Sequence, residues 1–228
     1  MIIRGLQKTT LIDYPKKVAC TIFLFGCNFR CFYCHNPELV IDDGTEETKE
    51  EEVIAFLKEK KGFLDGVCIS GGEPTINRDL PDFIKKIKDL GYSVKLDTNG
   101  TNPQMLKFLI DKKLVDYIAM DIKAPIGKYD SVAKIQTNMS NIQKSIEIIR
   151  NSAVDYEFRM TVPPKTFDEN DFVEIANWVK GAKKFYLQPF RGIKTLDKKM
   201  QGQKADMEEI ERFQNVLQKF SINSSIRK

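Results

Sequence analysis

Short β-branched runs alternating with longer amphipathic stretches constrain this chain most, because that rhythm builds a parallel sheet with helices packed outside it. The runs are Val18–Phe25, Gly66–Ser70, Ser93–Asp97, Tyr117–Asp121, Asp155–Thr161 and Lys184–Gln188. Stretches at Lys49–Lys60, Asp79–Leu90, Pro103–Lys112, Met139–Asn151, Asp168–Lys180 and Asp206–Phe220 read as helices. Asn102 before Pro103 and Asp168 before Glu169 supply caps at helix starts, and Gly91 marks a helix end. Right-handed crossovers then order the units into an α/β fold. A full eight-stranded barrel takes typically ~250 residues. Six βα units in 228 residues therefore predict an incomplete (βα)6 TIM-like barrel, a parallel sheet with outer helices. Residues 1–228 read as a single domain, since no low-complexity linker or internal repeat divides them.

The first run ends in Gly26-Cys27-Asn28-Phe29-Arg30-Cys31-Phe32-Tyr33-Cys34-His35-Asn36-Pro37. Three of the five cysteines fall within eight residues, spaced C-x3-C-x2-C, on a loop leaving a strand. Thiolates so close can fold around one inorganic centre. Three of them can bind three irons of a [4Fe–4S] cube and leave the fourth iron open to a ligand. Zinc on Cys27, Cys31, Cys34 and His35 is a rival, although closed zinc sites usually draw on two separated pairs. Cys31-Phe32-Tyr33-Cys34-His35 also fits C-x-x-C-H, the haem attachment pattern, which leaves Cys27 unexplained. Buried structural cysteines are a third alternative, ill suited to a polar-interrupted run. Cys20 and Cys68 lie inside strands and read as inert core thiols. His35, the single histidine, reads as a donor to the surroundings of such a centre or to a backbone carbonyl.

Composition narrows the function class. The balance of 36 basic and 32 acidic side chains gives +4, too mild to imply nucleic acid. No run approaches the ~18 apolar residues of a membrane helix, and Met1-Ile2-Ile3-Arg4 does not open like a signal peptide. Five cysteines, an odd number with three of them clustered, argue against a disulfide framework and for a reducing cytoplasm.

In parallel α/β folds, ligands bind at the carboxyl ends of the strands. Ser70-Gly71-Gly72-Glu73-Pro74 lies at such an end; paired glycines let backbone approach a ligand, and Glu73 can receive an amine. Asp97-Thr98-Asn99-Gly100 and Asp121-Ile122-Lys123 follow, and their charges would be costly to bury without partners. Arg159 sits within an apolar run, where it either meets a carboxylate or ligand or faces out toward a helix. The polar segment Arg191–Lys204, with two glycines and four lysines, reads as a mobile surface loop.

C-x3-C-x2-C with Tyr33 before the third cysteine resembles the signature of radical S-adenosylmethionine enzymes. Gly5-Leu6-Gln7-Lys8-Thr9, Leu11-Ile12-Asp13-Tyr14-Pro15 and the stretch from Cys31 to Leu39 are similar to the activating proteins of anaerobic ribonucleoside-triphosphate reductase. Those proteins belong to the glycyl-radical-enzyme activases, and the likeness runs from the N-terminus to about Arg191. It implies a (βα)6 barrel holding one [4Fe–4S] cluster on Cys27, Cys31 and Cys34, with S-adenosylmethionine on its open iron. By the same resemblance, Tyr33 belongs to the cofactor site and Gly71, Gly72 and Glu73 hold the methionine amino group. Asp97, Thr98, Asp121 and Lys123 contact carboxylate and ribose, the two acids being able to hold a monovalent cation, and Arg159 lies near the carboxylate. No catalytic side chain beyond the cluster ligands is implied.

The implied reaction is one-electron cleavage of S-adenosylmethionine to methionine and a 5′-deoxyadenosyl radical, which abstracts hydrogen from a backbone glycine. The implied partners are a glycyl-radical enzyme, here anaerobic ribonucleotide reductase, and a low-potential electron donor such as flavodoxin or ferredoxin. Neither nucleic acid nor a membrane is implied. Arg191 stands where some relatives carry histidine, and the ferredoxin-like insertion of several activases is missing. Activation of another glycyl-radical enzyme, or radical chemistry on a small molecule, is the alternative within enzymes; a zinc-binding adaptor is the non-enzymatic one. The Arg191–Lys204 loop is the expected docking element for the large partner.

Overall fold

All six expected strands and all six expected helices form, with ends within two residues of those read from the sequence. The computed structural model describes residues 1–227. Its elements are β1 (Ile3–Thr10), β2 (Ala19–Leu24), α1 (Glu50–Glu59), β3 (Gly66–Gly71), α2 (Leu80–Asp89), β4 (Ser93–Thr98), α3 (Pro103–Asp111), β5 (Tyr117–Asp121), α4 (Tyr129–Ala133), α5 (Met139–Asn151), β6 (Asp155–Val162), α6 (Glu169–Trp178), β7 (Phe185–Pro189), α7 (Met207–Lys219) and β8 (Ser224–Ile226). One eight-stranded sheet runs in chain order from β1 to β8. Among the described residues no ladder joins β8 to β1, so the curled sheet stays open on one side.

Two strands go beyond the six expected. β1 is antiparallel to β2 and β8 is parallel to β7. β1 has two register irregularities and exposes Gln7, Lys8 and Thr9, so it lacks the apolar alternation of an interior strand. Irregular register and charge are common on edge strands, where they discourage pairing with other chains. β8 is three residues long, too short to carry a period.

Strand alternation gives the sheet two unlike faces. Ile22, Leu24, Val67, Ile69, Val94, Leu96, Ile118, Met120, Phe158 and Met160 are buried in the core cluster that the helices cover. The other parity points into the barrel and is largely polar: Thr21, Cys68, Lys95 and Tyr117 share one row of the register. Asp97, Asp121, Glu157 and Arg159 lie on the same inward parity. Cys20 packs in the apolar core as expected. Cys68 is equally buried, as expected, but on the inward face of the sheet, its Sγ 3.7 Å from Lys95 Nζ.

Helix starts follow their capping residues. The Asn102 side chain accepts from Met105 N–H, and Asp168 and Asp171 form a reciprocal capping box at α6. No helix among the described residues is long and apolar enough to cross a membrane.

Candidate active site

The β2 to α1 connection carries the cysteine loop over the carboxyl ends of the parallel strands. Gly26 N–H donates to Leu39 O at 2.9 Å and Cys34 N–H to Cys31 O at 3.0 Å, which folds the loop back on itself. Cys27, Cys31 and Cys34 face one cavity of about 240 Å³. Tyr33, Gly71, Gly72, Asp97, Thr98, Asp121, Lys123 and Arg159 line the same cavity. Residues scattered over more than a hundred positions therefore meet at one place, as strand ends in a parallel sheet require.

Burial pushes the Cys27 thiol up to about 12 and the Cys31 thiol to about 11, and raises Cys34 as well. Such thiols become thiolates only beside a strong positive centre, and a metal that coordinates them removes the proton outright. Among the described residues no three His, Cys, Asp or Glu side chains converge on a single-ion position. The donor set, three thiols spread around a shared cavity, fits a multi-atom iron–sulfur centre. Phe29 N–H also points at Cys27 Sγ, 3.4 Å away. The Tyr33 hydroxyl is buried without a partner, a polar atom that a bound ligand would satisfy.

Below the thiols lies a charged cluster. Arg159 bridges both acids, with Nε 2.9 Å from Asp121 Oδ1 and an Nη 3.3 Å from Asp97 Oδ2. Lys123 Nζ is 3.0 Å from Asp121 Oδ2, Ser70 Oγ donates to Asp97 Oδ2 at 2.9 Å, and Lys95 Nζ pairs with Asp97 Oδ1. Burial, the largest single influence, opposes ionisation of both acids, but Arg159 and Lys95 together outweigh it at Asp97, and Arg159 and Lys123 together at Asp121. Both carboxyls are held below the usual carboxylate range. Burial also works against the Lys123 ammonium, and Asp121 more than compensates, keeping it charged. Arg159 thus faces inward to carboxylates, which resolves the two orientations its sequence context allowed.

One expected ligand contact is corrected. The Glu73 carboxylate does not line the cavity. Its oxygens accept from Thr75 N–H (3.0 Å), Thr75 Oγ1 (2.5 Å), Thr98 Oγ1 (2.8 Å) and Asn99 N–H (2.5 Å). Three of these bonds converge on Oε1 and one on Oε2, so the carboxylate is directed into the protein and knits the β3 turn to the β4 end. The Thr98 hydroxyl is committed in turn, donating to Glu73 and accepting from Gly100 N–H. We expect Glu73→Gln to destabilise the fold by about 2 kcal/mol, because an amide nitrogen in place of either oxygen would face a backbone N–H donor, Thr75 or Asn99, in a dry site. Thermal unfolding should show a Tm lower by roughly 4–8 °C; an unchanged Tm would rule this structural role out.

The Arg191–Lys204 segment is also corrected: it is ordered. Gly192 N–H donates to Gln203 O at 2.8 Å and Gly202 N–H returns to Gly192 O at 2.7 Å. Leu196 N–H donates to Cys34 O and Asp197 N–H to Phe32 O, both at 3.0 Å, so the segment straps the cysteine loop from above. Its order comes from backbone pairing with another loop, which has no hydrophobic period to read. His35 stacks on Phe190, ring centroids 5.2 Å apart, and Phe190 also packs edge-on against Tyr33. Sequence reasoning missed Lys95 as a member of the charged cluster, and gave no individual role to Ser70, which bonds Asp97, or to Asn99, which lines the cavity. For Lys95 a signal existed, since a lysine two residues before Asp97 in a strand shares its face.

The radical SAM superfamily model matches residues 21–179, most of the chain. The chain belongs to the radical SAM superfamily. Members carry a [4Fe–4S] cluster and S-adenosylmethionine, so these are the cofactors of this radical SAM protein. It is 38% identical over 196 residues to the "Putative glycyl-radical enzyme activating enzyme" of Methanocaldococcus jannaschii, covering 83% of this chain and 80% of that one. The pyruvate formate-lyase-activating enzyme of Clostridium pasteurianum is 28% identical over 186 residues, 78% of this chain and 76% of that one. The protein is thus a homologue of glycyl-radical enzyme activating enzymes. In fold it matches Streptococcus suis SuiB bound to S-adenosylmethionine, with a TM-score of 0.71 at 12% identity over 90% of this chain. It spans about half of SuiB, 49% of that chain. The shared open α/β barrel accords with the fold read from the sequence.

Proposed function

We propose that this radical SAM protein is an activase that takes a hydrogen atom from a backbone glycine of anaerobic ribonucleoside-triphosphate reductase. The observation that supports a macromolecular substrate is the open side of the barrel. A second cavity of about 660 Å³ adjoins the first, sharing His35, Arg159, Thr161 and Gln188 with it, and opens between Ile12 and Ile193. Leu11, Ile12 and Ile193 are the most exposed large apolar side chains of the chain, at 73%, 81% and 86%. Ile12 and Ile193 border that opening and Leu11 adjoins Ile12 in sequence. Exposed apolar rims mark docking surfaces for other proteins. The strap beside the rim, residues 191–204, holds five basic and one acidic side chain, a surplus equal to the chain's formal net charge of +4. An acidic protein surface fits it.

In this reading Cys27, Cys31 and Cys34 hold the cluster. Backbone at Gly71 and Gly72, together with Tyr33, Asp97, Thr98, Asp121, Lys123 and Arg159, encloses S-adenosylmethionine. When bound, the pair supplies one electron and a carbon-centred radical that takes hydrogen from the glycine. The protein's own part is placement. Lys123 and Arg159 leave positive charge for a carboxylate, the rings of Phe29 and Tyr33 on the cavity wall limit water, and the strap fixes the cysteine loop. The protein works in the cytoplasm with a low-potential donor such as a flavodoxin or ferredoxin.

The test is anaerobic incubation with S-adenosylmethionine, reductant and the reductase of the same organism, read by electron paramagnetic resonance. A glycyl doublet is expected, and Ile12→Asp combined with Ile193→Asp should remove it while uncoupled cleavage of S-adenosylmethionine survives. A doublet only with another glycyl-radical enzyme would reassign the substrate; no doublet with any would favour a small molecule.

A further inference from the structure

Lys95 is a fully charged side chain in the barrel interior, with 1% of its surface exposed. It does not line the cavity that would take S-adenosylmethionine; it lies a layer below, on the same face of β4 as Asp97. Its Nζ has two polar neighbours, Asp97 Oδ1 and Cys68 Sγ at 3.7 Å. A buried ammonium is tolerated only when a carboxylate partner offsets its desolvation. Asp97 is that partner, and it holds the Lys95 pKa above the usual lysine value against the effect of burial.

The four oxygens of the acid pair are all engaged from within the chain. Asp97 Oδ1 meets Lys95, Asp97 Oδ2 meets Ser70 and Arg159, Asp121 Oδ1 meets Arg159, and Asp121 Oδ2 meets Lys123. Three cations therefore surround two carboxylates. A metal cation entering between the acids would displace at least one of these donors and join an existing positive surplus. Thr98, the nearby hydroxyl oxygen, already donates to Glu73. The residues present do not fit the monovalent cation that the likeness to activases implies for this acid pair.

We propose that Lys95 is a positioning residue, the built-in counter-ion of Asp97, and that the acid pair of this protein binds no monovalent metal cation. Lys95 fixes one carboxylate oxygen from below, so the carboxylate keeps its orientation whether or not a ligand is bound. The remaining positive surplus belongs to the cavity side, at Lys123 and Arg159, where an anionic group of the ligand can meet it.

The experiment is calorimetric titration of anaerobically reconstituted protein with S-adenosylmethionine, in buffer whose only monovalent cation is tetramethylammonium. The titration is then repeated with potassium or sodium at about 0.1 M and matched ionic strength. Wild-type affinity should change by less than about twofold between these buffers, whereas Lys95→Met should bind about tenfold more weakly without a metal cation. Potassium or sodium should restore much of that loss by entering the vacated lobe of Asp97, a response that a merely structural defect would not give. Thallium-205 resonance of the cluster-free protein gives an independent readout: bound thallous ion in Lys95→Met and none in wild type. A wild type tightened about fivefold or more by potassium or sodium would overturn the proposal, as would wild-type affinity in Lys95→Met without metal cation. Should Lys95→Met fail to fold, the wild-type comparison still decides whether the acid pair takes a cation. No partner protein enters these measurements, so their outcome is separate from that of the glycine-activation reading.

Discussion

Cys31→Ser is expected to abolish S-adenosylmethionine cleavage. Cys31 is 7% exposed, lines the cavity with Cys27 and Cys34, and lies in a loop pinned by its own backbone bonds and by the strap. A serine hydroxyl there keeps its proton where a thiol bound to iron gives it up, and it is a harder, poorer ligand for iron. Changes in the outer shell of metal sites already cost ~10–100-fold, so loss of a ligand should exceed that range. The wild type should take up about four irons after anaerobic reconstitution. Iron and sulfide content and 5′-deoxyadenosine formation under reductant are the readouts. Cys20→Ala and Cys68→Ala serve as controls. The first thins an apolar core and the second removes a neighbour of Lys95, each costing about 1 kcal/mol of stability while leaving the cluster in place. Full activity in Cys31→Ser would sink the assignment of the cluster to this loop.

What the sequence made legible follows from periodicity. Strands β2 to β7 bury one whole face against helices, so each announces itself as an apolar run with a turn at its end. β1 and β8 flank the opening, form no ladder on one side among the described residues, and carry Lys8, Thr9, Ser224 and Ser225 where a run would be. The cysteine cluster and the strand-end charges were legible because such residues are costly unless something pairs with them. Their partners were not. The chain shows that Glu73 follows two glycines, but not that Thr75, Thr98 and Asn99 already hydrogen-bond its carboxylate. Nor does it show that Arg159 spans two acids lying 62 and 38 positions away. Contacts of that kind are set by which strand ends the sheet brings side by side. The strap at 195–197 is the extreme case, since its anchors to Phe32 and Cys34 are backbone atoms and carry no side-chain signature.

Gly72→Ala should be as damaging to binding as loss of a charged group, although it adds only a methyl. The paired glycines read in the sequence as a place where backbone can approach a ligand; the structure adds a second demand from the protein itself. A Cβ on Gly72 would lie 2.0 Å from Gly26 O, 2.5 Å from Gly26 C and 3.1 Å from Leu39 O. All three are backbone atoms, so no rotamer change relieves the clash, which lies well inside the ~3.5 Å optimum of non-bonded contact. The cysteine loop would have to move away from the β3 turn. That movement breaks the Glu73 N–H to Gly26 O bond of 2.8 Å and strains the Gly72 N–H to Leu24 O bond, also 2.8 Å. Overpacking together with a lost hydrogen bond should cost about 3 kcal/mol, lowering Tm by roughly 6–12 °C. Because the displaced loop carries Cys27, S-adenosylmethionine affinity should fall as well. Gly127→Ala is the matched control: nothing lies within 4 Å of its added Cβ, and its stability should stay within about 0.5 kcal/mol of wild type. Calorimetric Tm and S-adenosylmethionine titration on both variants decide it. A Gly72→Ala protein with wild-type Tm and affinity would show that the loop and the turn are not held together as the structure has them.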